Sequence, residues 1–145
     1  MLFRSYHLVT GAEGPLRAAL AGRSSITWRE VGRIPLCLLS PDMQNRRIID
    51  RVFGEVGCRV EPLLETSSIV VIAAHVRAGH WSTIMPRLMA EELAFPPHVK
   101  CIPIVAPEVA NLVGLVVGHR DPQPPLTAAL VAEARILAGA LAMRA

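Results

Sequence analysis

The chain reads as an α/β protein built on a mostly parallel sheet, and three observations carry that reading. Continuous apolar runs bounded by proline, such as Pro35-Leu36-Cys37-Leu38-Leu39, have the composition of strands covered on both faces. Other segments place apolar residues at helical spacing, most clearly Ile48, Ile49, Val52, Phe53 and Val56. Strand-like and helix-like segments then alternate along most of the chain, which is the pattern of βαβ units. With 145 residues there is enough chain for one sizeable core and no room for two complete domains.

The first strand expected is Tyr6 to Thr10, ended by the turn residues Gly11 and Gly14-Pro15. A polar connector through Arg23-Ser24-Ser25 leads to Thr27, which can cap a single turn over Trp28 to Val31, with Glu30 at capping-box spacing and Gly32 closing it. Pro35 to Leu39 follows as a buried strand. In the next helix Arg46, Arg47, Asp50, Arg51 and Glu55 fill the face opposite the apolar arc, and Gly57 ends the element. Arg59 to Glu65 reads as a further strand, Trp81 to Met85 as another, and Arg87 to Leu93 as a short helix. Val99 to Val105 is extended, and Leu112 to Val117 is a last apolar strand. Beyond Pro122, Pro124 and Pro125 comes a helix whose stripe is Leu126, Leu130, Ala134, Leu137 and Leu141.

The segment from Leu64 to Gly79 organises the rest. Thr66, Ser67 and Ser68 are N-cap types, and Gly79 supplies a left-handed C-terminal stop. Between them nearly every residue is apolar, so the helix is expected to be buried on all sides for most of its length. Its N-terminus offers free N–H groups and a partial positive charge, which suits an anion.

Composition narrows the class. The chain is 52% hydrophobic and 19% charged, which excludes disorder, and its mean hydropathy is +0.40. The net charge of +3 comes from scattered arginines and one lysine, with no basic run to hold nucleic acid. Cys37, Cys58 and Cys101 are too far apart for a disulfide framework or a zinc spacing and read as buried thiols in a reducing compartment. Neither the N-terminal segment nor the apolar runs interrupted by Pro103, Pro107, Glu108, Glu133 and Arg135 make a signal peptide or a membrane span, so the chain is expected to be cytoplasmic. No catalytic or metal-ligating set can be assembled. His75 and His80 lack ligand neighbours, no glycine-rich phosphate loop is present, and no cofactor is expected.

Taken in order, the segments resemble the effector-binding domain of LysR-type transcriptional regulators. The resemblance is carried by Trp28 with Pro35 to Leu39, Arg46 to Asp50 with Phe53 and Gly57, Glu65-Thr66-Ser67-Ser68 leading to Val76-Arg77-Ala78-Gly79, and Ile84-Met85-Pro86. It continues through Ile102-Pro103-Ile104 with Pro107 and Gly114-Leu115-Val116. It implies a periplasmic binding protein type II-like fold with a small-molecule effector in the cleft between two lobes, and the open start of the capped helix makes an anion the expected kind. It also implies a winged helix-turn-helix upstream and a dimer or tetramer of the full-length protein. On that pattern residues 6–104 match the complete second lobe and residues 105–145 the C-terminal strand and helix of the first. Residues 1–5 fit poorly and are expected to be a truncated or non-native start.

Where the family has a second glycine after the one matched by Gly79, this chain has Trp81, which either lines the cleft or packs in the core. The resemblance also sets the helix from Asn45 to Val56 against a second subunit, so Ile48, Ile49, Val52 and Phe53 are expected to be partly exposed and the isolated chain to self-associate. In open α/β sheets ligands sit beyond the carboxyl ends of the strands. The loop from Ser40 through Met43 and Gln44 and the turn Thr66-Ser67-Ser68 are therefore the candidate effector contacts, and Ile104, Val105 and Pro107 the candidate hinge. Two rivals remain at this point. A transporter's solute-binding lobe would need an export signal, and a two-lobed enzyme would need a base or nucleophile that cannot be named here.

Overall fold

A computed structural model describes residues 2–11, 13–109 and 111–142; Met1 and residues 143–145 of the expected terminal segments lie outside it. The chain forms two compact units, residues 5–109 and residues 2–4 with 111–142. In chain order the elements are β1 (Leu2–Arg4), β2 (Tyr6–Thr10), α1 (Pro15–Ala19), β3 (Ile26–Thr27), α2 (Trp28–Val31), β4 (Cys37–Leu39) and α3 (Gln44–Glu55). Then come β5 (Leu64–Thr66), α4 (Ile69–Arg77), β6 (Ser82–Pro86), α5 (Arg87–Glu92), β7 (Lys100–Val105), β8 (Asn111–Val113) and α6 (Pro125–Ala142).

In the larger unit β2 pairs antiparallel with β6 on one side and β7 on the other, while β3 runs parallel to β7 and β4 parallel to β5. A parallel bridge between Leu36 and Ser82 sets β4 beside β6. The strand order is therefore β5-β4-β6-β2-β7-β3, with five strands pointing one way and β2 alone reversed. The mostly parallel sheet expected from the sequence is present. Period-two alternation along β2 sends Tyr6 and Leu8 into one apolar layer and Val9 into the other. The first layer gathers Trp28, Val31, Leu36, Leu38, Ile49, Val52 and Phe53; the second gathers Cys37, Ile72, Val76, Met85 and Ala90.

The single turn at α2 is fixed as its sequence requires. Thr27 Oγ1 accepts from Glu30 N at 3.3 Å, and the Glu30 carboxylate accepts from Thr27 N and Arg23 Nη2, each at 2.8 Å. The Thr27 N–H first, then Arg23 and the Thr27 hydroxyl, lower the Glu30 pKa from 4.5 to about 2. Because the folded value is the lower one, this stabilisation is complete above the unfolded pKa and is lost as pH falls through the range from about 5 to 2. Glu30 is well exposed, so solvent screening keeps the gain to about 1 kcal/mol or less. Urea titrations should show Thr27→Ala losing about 1 kcal/mol at neutral pH and Glu30→Gln losing the acid dependence of this turn. An unchanged acid profile in Glu30→Gln would refute the assignment.

Several expectations need correction. The stretch after Gly14-Pro15 contains a helix, α1, which the proline at its first position favours. The strand over Arg59 to Glu65 shrinks to β5, and the one over Leu112 to Val117 gives way to β8 at Asn111–Val113, with Leu115 and Val116 exposed. Helix α4 is not enclosed. Ile72, Ala73 and Val76 are buried, but Val70, at 70% exposure, and Val71 face outward, because α4 covers one edge of the sheet with a single face. Conversely, Ile49, Val52 and Phe53 are buried within the lobe against Trp28 and Tyr6, and only Ile48 is half-buried, so most of that apolar arc is not left for a partner. Among the three thiols only Cys37 is buried, and Cys101 is exposed.

In the smaller unit β1 pairs antiparallel with β8. Helix α6 exposes Leu126, Leu130, Ile136 and Leu137, so most of its predicted stripe faces outward; the Leu141 side chain lies outside the described residues. The candidate hinge residues Ile104 and Val105 end β7, paired with Ile26 and Thr27, and the Pro107 carbonyl accepts from Trp28 Nε1 at 3.0 Å.

Candidate functional site

At their carboxyl ends β4 and β5 are in register, Leu39 opposite Thr66. The next residue, Ser40, donates its backbone N–H to the Thr66 carbonyl at 3.0 Å, which brings the two predicted segments together. From Ser40 the chain turns back, Met43 N donating to Ser40 O at 3.0 Å, before Gln44 opens α3. Met43 is half-buried and Gln44 exposed. On the β5 side Thr66 Oγ1 accepts from Ser68 N at 3.1 Å, and Ser68 Oγ caps α4 by accepting from Val71 N at 3.4 Å. Ile69 and Val70, at the first helical positions, keep N–H groups without intrahelical acceptors. Ser67 is exposed between the two bonded residues.

Two polar features stand at this edge. The Ser40 hydroxyl oxygen is shielded from solvent and has no hydrogen-bond partner of good geometry. It influences the exposed Asp42 carboxylate, whose pKa is lowered first by the Ser40 hydroxyl. The second feature is α4 itself, a nine-residue helix whose N-terminal N–H groups open beside that hydroxyl's strand end.

Trp81 is not brought to this edge. It precedes β6, whose first residue Ser82 sits opposite Leu36 at the start of β4, roughly 16 Å along the strands from Ser40. There it packs edge-on against His75, ring centroids 6.4 Å apart, with the second apolar layer.

Arg46 is the residue that sequence reasoning misplaced. Set on the solvent face by helical spacing, it is instead buried at 6% exposure. Its Nε donates to Asp50 Oδ1 at 2.8 Å, and its Nη1 donates to the Leu39 carbonyl at 2.8 Å and to Glu65 Oε1 at 2.6 Å. Burial alone would lower its pKa; hydrogen bonds and charge from Asp50 and Glu65 outweigh that, so the pKa rises and the guanidinium is secured as a cation. The Arg46–Asp50 spacing of four residues was the available signal.

A second polar cluster lies under α5, where His7, Arg87, Ala90, Glu91 and Cys101 line a cavity of about 250 Å³. His7 is buried, with no partner for Nδ1. Burial first and Arg87 second lower its pKa below 6.5, against smaller opposing effects of Glu91 and the Ser5 backbone. The imidazole is therefore neutral in the fold at neutral pH. The stability this gives is present above pH 6.5 and declines as pH falls through the folded pKa, because protonation then favours the unfolded chain. His7→Gln should flatten thermal stability between about pH 7 and pH 5; an equal slope in both proteins would assign that slope to other groups. Among the described residues no group of three His, Cys, Asp or Glu side chains could hold a metal ion, and no helix is long and apolar enough to cross a membrane.

A mostly parallel sheet with one reversed strand and polar loops at its carboxyl edge is the architecture of a periplasmic binding protein type II-like lobe. The family model for the LysR substrate binding domain matches residues 7–137, and the chain belongs to that family. It is 22% identical over 98 residues to a probable nitrogen assimilation transcriptional activator of Synechococcus elongatus, covering 68% of this chain and 32% of that protein. Among solved structures it is similar to the effector-binding domain of QuiR in complex with shikimate, with TM-score 0.62, 20% identity, and coverage of 74% of this chain and 48% of that one. The effector-binding domain of BenM with benzoate gives TM-score 0.58 and 13% identity over 75% of this chain and 49% of that chain. The full-length regulator CbnR bound to its target DNA gives TM-score 0.59 and 15% identity over 76% of this chain and 37% of that chain. The chain thus spans about a third of the curated relative it matches and under half of these solved chains.

Proposed function

We propose that this chain is the effector-sensing part of a LysR-type transcriptional regulator and that it transmits a ligand signal without catalysing a reaction. Residues 6–104 form the second lobe, and residues 105–145 contribute the final strand and helix of the first. The exposed leucines of α6 support this, since a helix that belongs to a larger lobe carries apolar surface for the rest of that lobe. A winged helix-turn-helix outside this chain would contact DNA, in a cytoplasmic dimer or tetramer. The effector is a small anion, and Ser40, Met43, Gln44, Thr66, Ser67 and Ser68 provide this lobe's contacts. One observation carries the reading: the Ser40–Thr66 backbone bond sets a solvent-shielded hydroxyl, whose one polar neighbour is the exposed Asp42 carboxylate, beside the capped start of α4.

Binding would shift an existing equilibrium of conformations, with the hinge at Ile104, Val105 and Pro107. Native mass spectrometry of the full-length regulator should reveal a co-purifying metabolite. Calorimetry with that metabolite should then show Ser67→Ala or Ser68→Ala weakening affinity by roughly 1.5–3 kcal/mol, on the order of tenfold or more. Unchanged affinity in both folded variants would reduce these serines to helix caps.

A further inference from the structure

Beyond the β4–β5 ladder, one backbone bond, from the Ser40 N–H to the Thr66 carbonyl, joins the two loops assigned to the effector. Strands β4 and β5 are three residues each, and β5 is the edge strand of the sheet, where so short a pairing is among the first to open. The Arg46 guanidinium adds a further tie, since one planar group reaches the last residue of β4, the middle of β5 and the next turn of α3. Leu39 directly precedes Ser40, and Glu65 directly precedes Thr66. Both loops therefore leave this clamp within one residue.

We propose that Arg46 is a positioning residue of the effector site, fixing the spacing of the Ser40 loop against the start of α4 without touching the ligand. This rests on the reading of those loops as effector contacts. An arginine is required by the geometry: a fork of donors can satisfy a carbonyl and two carboxylates from different elements at once, whereas a lysine ammonium on a flexible stem cannot hold all three in one plane. Glu65 and Asp50 are partly exposed, with side chains at 42% and 44%, so they can return to water when the fork is lost and the sheet core need not unfold.

The test uses the full 145-residue chain, labelled with ¹⁵N, in wild-type, Arg46→Lys and Glu65→Gln forms. In Arg46→Lys, exchange of the Ser40 amide, whose bond to Thr66 the clamp protects, should accelerate on the order of tenfold, while amides in β2 and β6 keep wild-type protection. Glu65→Gln retains an acceptor and should give a smaller acceleration at the same amide; it carries the test alone should Arg46→Lys not fold. Unchanged Ser40 exchange overturns the proposal, and so does an equal loss of protection throughout the sheet, which would mean a purely structural role.

A second arm titrates benzoate, a simple carboxylate probe, into the full-length regulator, in which both lobes line the cleft, and follows the amides from Ser67 to Val71. Wild type should respond, and Arg46→Lys should need about ten times more benzoate for the same response. Equal responses overturn the proposal. If wild type does not respond, the carboxylate reading of the site fails, while the exchange data still decide whether Arg46 positions the two loops.

Discussion

Trp28→Ala should cost this lobe about 3–5 kcal/mol, measured as the loss in unfolding free energy by urea titration followed by far-UV circular dichroism. Trp28 is fully buried at the centre of the larger apolar layer, edge-on to Phe53 with centroids 5.3 Å apart and tilted against Tyr6 at 6.0 Å. Truncation removes the transfer energy of a large ring, leaves a cavity between α2, α3 and β2, and orphans the Pro107 carbonyl that Nε1 now satisfies. Trp28→Phe separates these effects, because it keeps much of the apolar area and loses the hydrogen bond, for about 1–2 kcal/mol. A Trp28→Ala loss under about 2 kcal/mol would mean that the layer collapses around the gap and that Trp28 does not anchor the lobe.

Gly11→Ala should be nearly as damaging, at or beyond the upper end of the roughly 1–3 kcal/mol that overpacking costs. A Cβ at Gly11 would overlap the Val76 carbonyl oxygen and stand 3.2 Å from the Gly79 Cα. Both neighbours are backbone, so no side chain can rotate away. Relief requires moving the end of α4 off the end of β2, and with it Val76, one of the buried contacts of the second layer. Gly79 is bound to the same approach: its φ is +80°, and a Cβ there would meet the Gly11 carbonyl oxygen at 3.1 Å. Gly54→Ala is the control, since that position lies on the exposed side of α3 with open space around it and should gain up to about 1 kcal/mol from helix propensity. Thermal melts of the two variants should move in opposite directions. A melt of Gly11→Ala within a degree or so of wild type would show that the α4–β2 approach is loose.

How Gly11 was legible in the sequence marks the boundary between local and tertiary information. A glycine after a short strand announces a turn and nothing more. That it admits the end of a helix 65 residues further on is not written near it. Local devices were legible because their partners lie within one turn. The Thr27–Glu30 box, the Ser68 cap on α4, and the left-handed stops at Gly57 and Gly79, with φ of +70° and +80°, all follow from neighbours in the chain. The order of strands and helices was legible for a related reason, since apolar periodicity records which face of each element is covered.

Periodicity does not say what covers that face. Helix α4 is apolar nearly all round, yet only Ile72, Ala73 and Val76 are taken into the core, because the sheet beneath it offers one surface and Val70 and Val71 are left outward. The arc of Ile49, Val52 and Phe53 is drawn inward for the opposite reason: Trp28 and Tyr6 meet it from α2 and β2, elements distant in sequence. At the candidate site the sequence by itself determined the loop and the capped turn, each from turn and cap chemistry. Tertiary structure alone decided that Ser40 and Thr66 meet, that Trp81 stands at the other end of the strands, and that Arg46 is buried between two carboxylates and a strand carbonyl. The physical reason is the same in each case. A hydrogen bond between groups 19 or 26 residues apart depends on strand order and register, and those are set by how the whole lobe packs.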